Sequence, residues 1–512
     1  MTLRLLVLFC LPILSAHAQS KYWILLDAKD QSLAPALSPT ALTRRQTQNL
    51  RIDDTDRPVS VAYLSRLRQA GVQPVCQSRW LNAVSARLTT EQRAQVLALP
   101  FVTSVETIDP AIIITSLYSP AEPGVMNPML APVMTQIQAP EFAQAGLTGR
   151  FVTIGVIDAG FFGADSVGAL KHVFARQGVN LVRDYVNDKK THGNLFRTLE
   201  TTSDFHGTEV LAAIAGNDPT ENVQYGLATD AKFYLARTDQ GNREYRGEED
   251  NWVAAMEWMD SLGVRLINTS LGYAKGMSNP KDNYAPSQMD GHTSLISRAA
   301  QIAADKKGIL VIVSAGNEGD DRSWRIISTP ADAQGVLAIG ATNAKLWNRI
   351  GYSSIGPESL PYLKPNVSCF SLYGTSLSAP VITGFAACVM QANPKLTNKE
   401  VMALIEKSSH LYPYGNNYVG YGVPQASRAI VLLRNQPLPA TARLVRAPGK
   451  TMTIPVTTTE SVVSIFRKKD ATHVMQQEAA KVTNGQLILR RITGEKQTTV
   501  DTKGEVVEVI WE

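Results

Sequence analysis

Cysteine is scarce in this sequence, with 4 in 512 residues. A scaffold built on disulfides is thereby excluded. No Cys-x-x-Cys pair, Cys/His cluster or His-Glu-x-x-His motif occurs, so nothing reads as a zinc site. A strong excess of one charge is also missing. Lys plus Arg number 50 against 45 Asp plus Glu, a net of +5, too little to favour nucleic acid or an anionic membrane as partner. No apolar run reaches the about 20 residues that a bilayer core requires, and there is no internal repeat. What remains is a composition of 44% hydrophobic and 19% charged residues, able to bury a sizeable core, at a length that suggests about three domains.

The first eighteen residues read as an export signal. Arg4 precedes the apolar run Leu5–Leu14, and Ala16-His17-Ala18 supplies a small-x-small cleavage site. The chain is therefore expected to be secreted, whether to the medium, the periplasm or the cell surface. Removal of residues 1–18 leaves Cys76, Cys369 and Cys388, an odd number, so at least one is a free thiol or joins another molecule. Pairing of Cys369 with Cys388 stays open, although Cys388 lies on an apolar helix and reads as a buried thiol.

Three unequal parts follow. Residues 19–115 alternate short strands (22–26 and 102–105) with helices over 59–70, carrying Val61, Leu64, Leu67 and Ala70 on one face, and over 90–99. Residues 116–130, with Pro120, Pro123, Gly124 and Pro128, read as a linker. From 131 to 432, strands rich in Val and Ile alternate with helices, the pattern of a doubly wound, mostly parallel α/β sheet. Runs such as Ile154–Ile157, Phe233–Ala236, Leu266–Asn268 and Leu310–Val313 are almost wholly apolar, as strands covered on both faces should be. Residues 433–512 show period-2 stretches and prolines and are expected to form a small β-rich domain.

Four motifs in the middle part carry chemistry. Val156-Ile157-Asp158-Ala159-Gly160 places a carboxylate after a buried strand, at the edge where open α/β folds put their sites. Asp204-Phe205-His206-Gly207-Thr208 opens a helix with a histidine. Val313-Ser314-Ala315-Gly316-Asn317 ends a strand in a Gly-Asn turn. Tyr373-Gly374-Thr375-Ser376-Leu377-Ser378-Ala379-Pro380 leads into an apolar helix, with Pro380 in the first turn where its missing N–H is harmless. Singly, each has a plain structural role as strand end, helix start, turn or cap. Jointly they form a set. A serine hydroxyl needs a base, the base histidine needs a carboxylate to fix its tautomer, and the tetrahedral oxyanion needs fixed donors such as an Asn amide and the serine's own N–H.

These motifs, in the chain order Asp, His, Ser, resemble those of the subtilisin-like serine proteases, the subtilases. The resemblance implies Asp158 as triad carboxylate, His206 as base, Ser376 as nucleophile and Asn317 as oxyanion donor. It implies that Ser270-Leu271-Gly272 and Ala315-Gly316 flank the pocket for the residue before the scissile bond, with peptides and proteins as substrates. It calls for no catalytic cofactor; calcium stabilises many members of the family, and the sequence assigns it no ligands. Residues 19–115 resemble the family's inhibitory prodomain, which makes the chain its own intramolecular inhibitor until cleavage between about 107 and 135.

There are departures from the family pattern. Ala159 replaces a usual Ser or Thr, Phe205 a common Gly, and Glu209 a frequent second His. The 48 residues from Asp158 to His206 imply an insertion within 160–200. A serine esterase of the α/β-hydrolase type would need Gly-x-Ser-x-Gly and the order Ser, Asp, His, and Ser378 stands where the second glycine belongs. A catalytically silent binding protein on the same fold is the other alternative. His172, His192, His292, His410 and His473 lack partner motifs, and 248–250 reads as a helix start.

Overall fold

The computed structural model describes residues 19–108, 112–114, 131–186, 195–239, 248–275 and 283–512. The signal segment 1–18, the linker 116–130 and His192 lie outside the described residues.

The N-terminal unit contains β1 (Ser20–Leu26), α1 (Pro39–Thr47), α2 (Val61–Gln69), β2 (Pro74–Ser78), β3 (Ala83–Leu88), α3 (Thr90–Leu97) and β4 (Val102–Thr107). Its antiparallel sheet runs in the order β2-β3-β1-β4. It therefore holds one helix and one hairpin more than the sequence suggested. On α2, Leu64 and Leu67 face the core, but Val61, the first residue of the helix, is 63% exposed. Thr89 and Gln92 form a reciprocal cap that starts α3. Period-2 alternation divides β1 between two cores: Ile24 packs with Leu64, Leu67 and Phe101, and Trp23 packs with Trp252 of the next unit.

After β5 (Ile112–Ile114) come α4 (Pro132–Gln136), α5 (Ala139–Gln144), β6 (Thr153–Asp158), α6 (Lys171–Ala175), β7 (Val179–Asp184), α7 (His206–Ala215), the short pair β8 (Asn217–Asp218) and β9 (Val223–Gln224), and β10 (Lys232–Arg237). Then follow α8 (Glu249–Ser261), β11 (Leu266–Thr269), β12 (Leu271–Tyr273), α9 (Leu295–Asp305), β13 (Leu310–Ser314), β14 (Leu337–Thr342), β15 (Val367–Phe370), α10 (Ser378–Ala392), α11 (Asn398–Ser408) and α12 (Ala426–Leu433). The expected α/β sheet is a parallel one of seven strands, ordered β15-β14-β13-β11-β6-β10-β7. Successive residues alternate between two cores: Leu310 and Ile312 pack on the α7 and α10 side, Val311 and Val313 on the α8 and α9 side. Each fully buried Val, Leu or Ile contributes about 1.5–3 kcal/mol, so a doubly covered sheet holds its carboxyl edge rigid. The stretch 160–200, where the sequence suggests an insertion, holds α6 and β7, the edge strand of the sheet.

Among the described residues one stretch, Thr375–Ala392, is long and apolar enough to cross a membrane, and 89% of it is buried inside the protein. The C-terminal strands are β16 (Ala442–Ala447), β17 (Thr451–Pro455), β18 (Val462–Lys468), β19 (Val474–Lys481), β20 (Gln486–Arg490), β21 (Gln497–Asp501) and β22 (Val506–Trp511). They form a five-stranded sheet, β16-β22-β21-β18-β19, with β17 and β20 paired beside it. Phe466 and Val506 pack against Leu411 and Tyr418 of the preceding unit.

Candidate active site

Asp158 is the last residue of β6 and His206 the first of α7, so the sheet edge and a helix start bring them together. Asp158 Oδ1 lies 2.6 Å from His206 Nδ1 and also accepts the Ala159 N–H at 2.8 Å. Both side chains are buried. His206 Nε2 is buried and has no hydrogen-bond partner among the described residues. Burial opposes charge on His206, but the Asp158 carboxylate, its hydrogen bond and Glu209 outweigh it, leaving the pKa above the usual histidine value. Glu209, one turn along α7, is itself pushed up to about 7 by burial.

Ser376 sits in a 3-10 turn, Thr375–Leu377, that runs directly into α10 and packs on α7. Gly374 enters that turn at φ 121°, a conformation that favours glycine. A buried polar relay fixes the Ser376 backbone. Thr383 Oγ1 of α10 donates to Asn268 Oδ1 (2.9 Å), Asn268 Nδ2 donates to Ser270 Oγ (3.1 Å), and Ser270 Oγ donates to the Ser376 carbonyl (2.9 Å). Ser270, which the resemblance set beside the substrate, holds the turn that carries Ser376. Asn268 and Thr383 were missed. The legible signal was Asn268, a polar residue inside an apolar strand, which burial obliges to find partners.

Asn317 is half-buried, just past β13 and the positive-φ Gly316. Its Oδ1 accepts from Thr375 N–H (2.9 Å) and Thr375 Oγ1 (3.1 Å), which makes Nδ2 the donor end of the amide. Glu318 Oε2 accepts the Asn317 N–H at 2.9 Å, and burial raises the Glu318 pKa. The residues around Gly272 and Ala315 are joined by the segment 328–329. Tyr273 and Thr329 exchange backbone hydrogen bonds at 2.8 and 3.1 Å, and Ser328 N–H donates to the Ala315 carbonyl at 3.2 Å. Ser328 Oγ fills the space beside Gly272, where an added Cβ would lie 2.2 Å from it. Leu271, the first residue of β12, is fully buried. Along β12 lies β5, antiparallel, with Ile112 opposite Tyr273 and Ile114 opposite Leu271.

The remaining candidates fall elsewhere. Cys76, Cys369 and Cys388 are free thiols; Cys388 Sγ lies 3.3 Å from the Leu147 carbonyl, and burial pushes its pKa up to about 12. His410 pairs with Asp501 and His473 with Asp470, both away from Asp158. Asn268 and Asn366, which fit glycosylation acceptors, are buried. Among the described residues no group of three or more His, Cys, Asp or Glu side chains is arranged to hold a metal ion.

Comparison with known proteins gives a consistent set of relatives. A model described as the subtilase family matches residues 149–422, and one described as the Peptidase S8 propeptide domain of Bacteroidota matches residues 21–117. Subtilisin DY of Bacillus licheniformis is 30% identical over 277 residues, 52% of this chain and 86% of the relative. An alkaline protease of Alkalihalobacillus alcalophilus is 25% identical over 387 residues, 74% of this chain and 87% of the relative. Among solved structures, the epidermin leader peptide processing serine protease of Staphylococcus aureus aligns with a TM-score of 0.54 at 14% identity, covering 80% of this chain and 99% of the other. Fervidolysin from Fervidobacterium pennivorans aligns at 0.50 and 17% identity, covering 94% and 71%. At such identities the likeness is one of fold.

Proposed function

The chain belongs to the subtilase family, a serine protease family, and carries an S8 propeptide; on that premise we propose that it is a secreted endopeptidase, made as a self-processed zymogen, that cleaves peptide bonds through an acyl-enzyme on Ser376. The observation that carries this reading is the 2.6 Å Asp158–His206 pair, with the unsatisfied His206 Nε2 beside the turn that holds Ser376. In the proposed reaction Ser376 Oγ attacks the scissile carbonyl carbon while His206 Nε2 takes its proton. Asp158 stays ionised, holding Nδ1–H and steadying the imidazolium. The developing oxyanion accepts from Asn317 Nδ2–H and from the Ser376 N–H at the helix start. Loss of one such donor typically lowers kcat by about 10²–10³. His206 then returns the proton to the departing amine, and water, deprotonated by His206, hydrolyses the ester and restores Ser376.

Residues 131–432 would be the catalytic domain, 433–512 a β-rich appendage, and 19–115 the intramolecular inhibitor. Two features support the inhibitor assignment. β5 adds a strand to β12, a mode in which backbone bonds supply affinity. Ile114, the last described residue of β5, lies opposite Leu271, the neighbour of Ser270, whose hydroxyl holds the Ser376 carbonyl. Self-cleavage is therefore proposed between about 107 and 135, following removal of the signal peptide after Ala18. N-terminal sequencing of the active form tests this: a start between about 107 and 135 is expected, with Ser376→Ala remaining uncut. An active form that begins at Gln19 contradicts it.

A further inference from the structure

Arg237 closes β10, in parallel register with Asp158 of β6 on one side and Asp184 of β7 on the other. Only 1% of it is exposed. A permanently charged guanidinium is costly to bury unless its donors are matched, so where those donors go is informative. Nε–H donates to the Ala159 carbonyl at 2.9 Å. Nη2–H donates to Asp204 Oδ1 at 2.8 Å, and Nη1 lies 3.5 Å from Asp184 Oδ2. Glu200 Oε2 stands 3.6 Å from Nη2.

Ala159 directly follows the triad carboxylate, and Asp204 lies two residues before the base. Asp204 in turn organises its own loop. Its Oδ2 accepts the N–H groups of Glu200 and Thr201 at 2.7 and 2.8 Å, and its carbonyl accepts Phe162 N–H at 2.8 Å. Thr238, the next residue after Arg237, donates its N–H to the Asp158 carbonyl at 3.1 Å. The two loops also touch through glycines. A Cβ at Gly160 would lie 2.5 Å from Asp204 Cα, and one at Gly207 would lie 2.3 Å from the Gly160 carbonyl.

We infer that Arg237 is a positioning residue: its planar fork, anchored on Asp204, clamps the loop after Asp158 to the loop before His206 and thereby sets the geometry of the pair. This rests on the reading of Asp158, His206 and Ser376 as the triad. The acids Asp184, Glu200 and Asp204 balance the Arg237 charge, which leaves the Asp158 carboxylate to His206. A lysine retains the charge but cannot serve both acceptors from one fixed fork.

The test compares purified wild type with Arg237→Lys, and with Asp204→Asn as the second variant in case the first does not accumulate. For each, kcat and KM on a peptide substrate are counted per site titrated with a fluorophosphonate. A pair displaced by a fraction of an ångström to an ångström loses about 10- to 100-fold in kcat, with KM within about twofold. The charged groups beside His206 are Asp158 and Glu209, and both raise its pKa. Loosening Asp158 therefore moves the acidic limb of kcat/KM to lower pH. An unchanged kcat per titrated site with an unmoved acidic limb overturns the positioning role, even if less protein is obtained. A wild type that neither hydrolyses nor labels overturns the triad reading, and the clamp falls with it.

Discussion

His206 stands between two carboxylates, Asp158 at its Nδ1 and Glu209 one turn along α7, and all three side chains are buried. Burial alone lowers a histidine pKa, so the net rise measures how strongly the carboxylates hold the imidazolium. The base works only when neutral, so activity should be lost on acidification through a limb that lies above the ordinary histidine value of about 6.5. Glu209, itself pushed up to about 7, ionises near that limb and contributes to its position. In Glu209→Gln the limb should move to lower pH, read from kcat/KM across pH; a limb that stays in place contradicts the coupling. The candidates that the sequence offered, Asp158, His206, Asn317 and Ser376, lie beside glycines or at element ends. Asn268, Thr383 and Arg237 were not legible as a group. Their partners lie far along the chain, and only the folded sheet edge brings them together.

At the scale of elements, α8 joins the N-terminal unit to the catalytic sheet. One face of α8 places Trp252, Val253 and Met256 in a core shared with Trp23 and Trp80. Interleaved with these on the same helix are buried carboxylates. Asp250 pairs with Lys21 (2.7 Å), Glu257 accepts the N–H groups of Arg79 and Trp80 (3.0 and 3.1 Å), and Asp260 meets Arg44, Arg45 and Arg79. Burial would raise the Asp260 pKa, but the three guanidinium groups and Lys307 hold it below the usual carboxylate value. Removing one partner of a buried pair costs about 3–5 kcal/mol, because the other charges stay buried. Asp260→Asn, made in a Ser376→Ala background so that the chain remains whole, should therefore unfold the N-terminal unit first, as a separate transition at lower temperature in calorimetry. A single unshifted transition contradicts that assignment. This docking also explains why α1 escaped the sequence pattern: its buried face is Arg44 and Arg45 rather than an apolar stripe, so hydrophobic periodicity carries no trace of it. The β2–β3 hairpin was hidden for a related reason. Its turn residues 78–82 are held by Glu257 from α8 as well as by the local bond from Leu81 N–H to Ser78 Oγ.

Across the whole molecule, the catalytic sheet lies between two smaller units bound in different ways. The N-terminal unit is held by buried ion pairs and by β5 on β12. The C-terminal unit is held by apolar packing of Phe466 and Val506 on Leu411 and Tyr418, by His410 on Asp501 at 3.0 Å, and by Gln477 bonded to both backbone groups of Arg349. Deleting residues 437–512 would expose Leu411 and Tyr418 as a contiguous patch of the kind that promotes association. The truncated protein should have a lower Tm and a larger aggregated fraction by size-exclusion chromatography; an unchanged Tm and a monodisperse peak contradict a structural role for this unit. The proposed division into parts rests on composition shifts that were legible at the linker and after α12. How the parts dock was not, because it depends on charges and surfaces that have no local period.

The central claim is that Ser376 is the nucleophile of a peptide-bond hydrolase. The most direct measurement is fluorophosphonate labelling of the purified protein, with the adduct located by mass spectrometry, beside peptide hydrolysis by wild type and Ser376→Ala. The account predicts one adduct, on Ser376, formed in step with loss of hydrolysis, and neither labelling nor hydrolysis in the variant. An adduct on another residue, or hydrolysis that persists in Ser376→Ala, contradicts it.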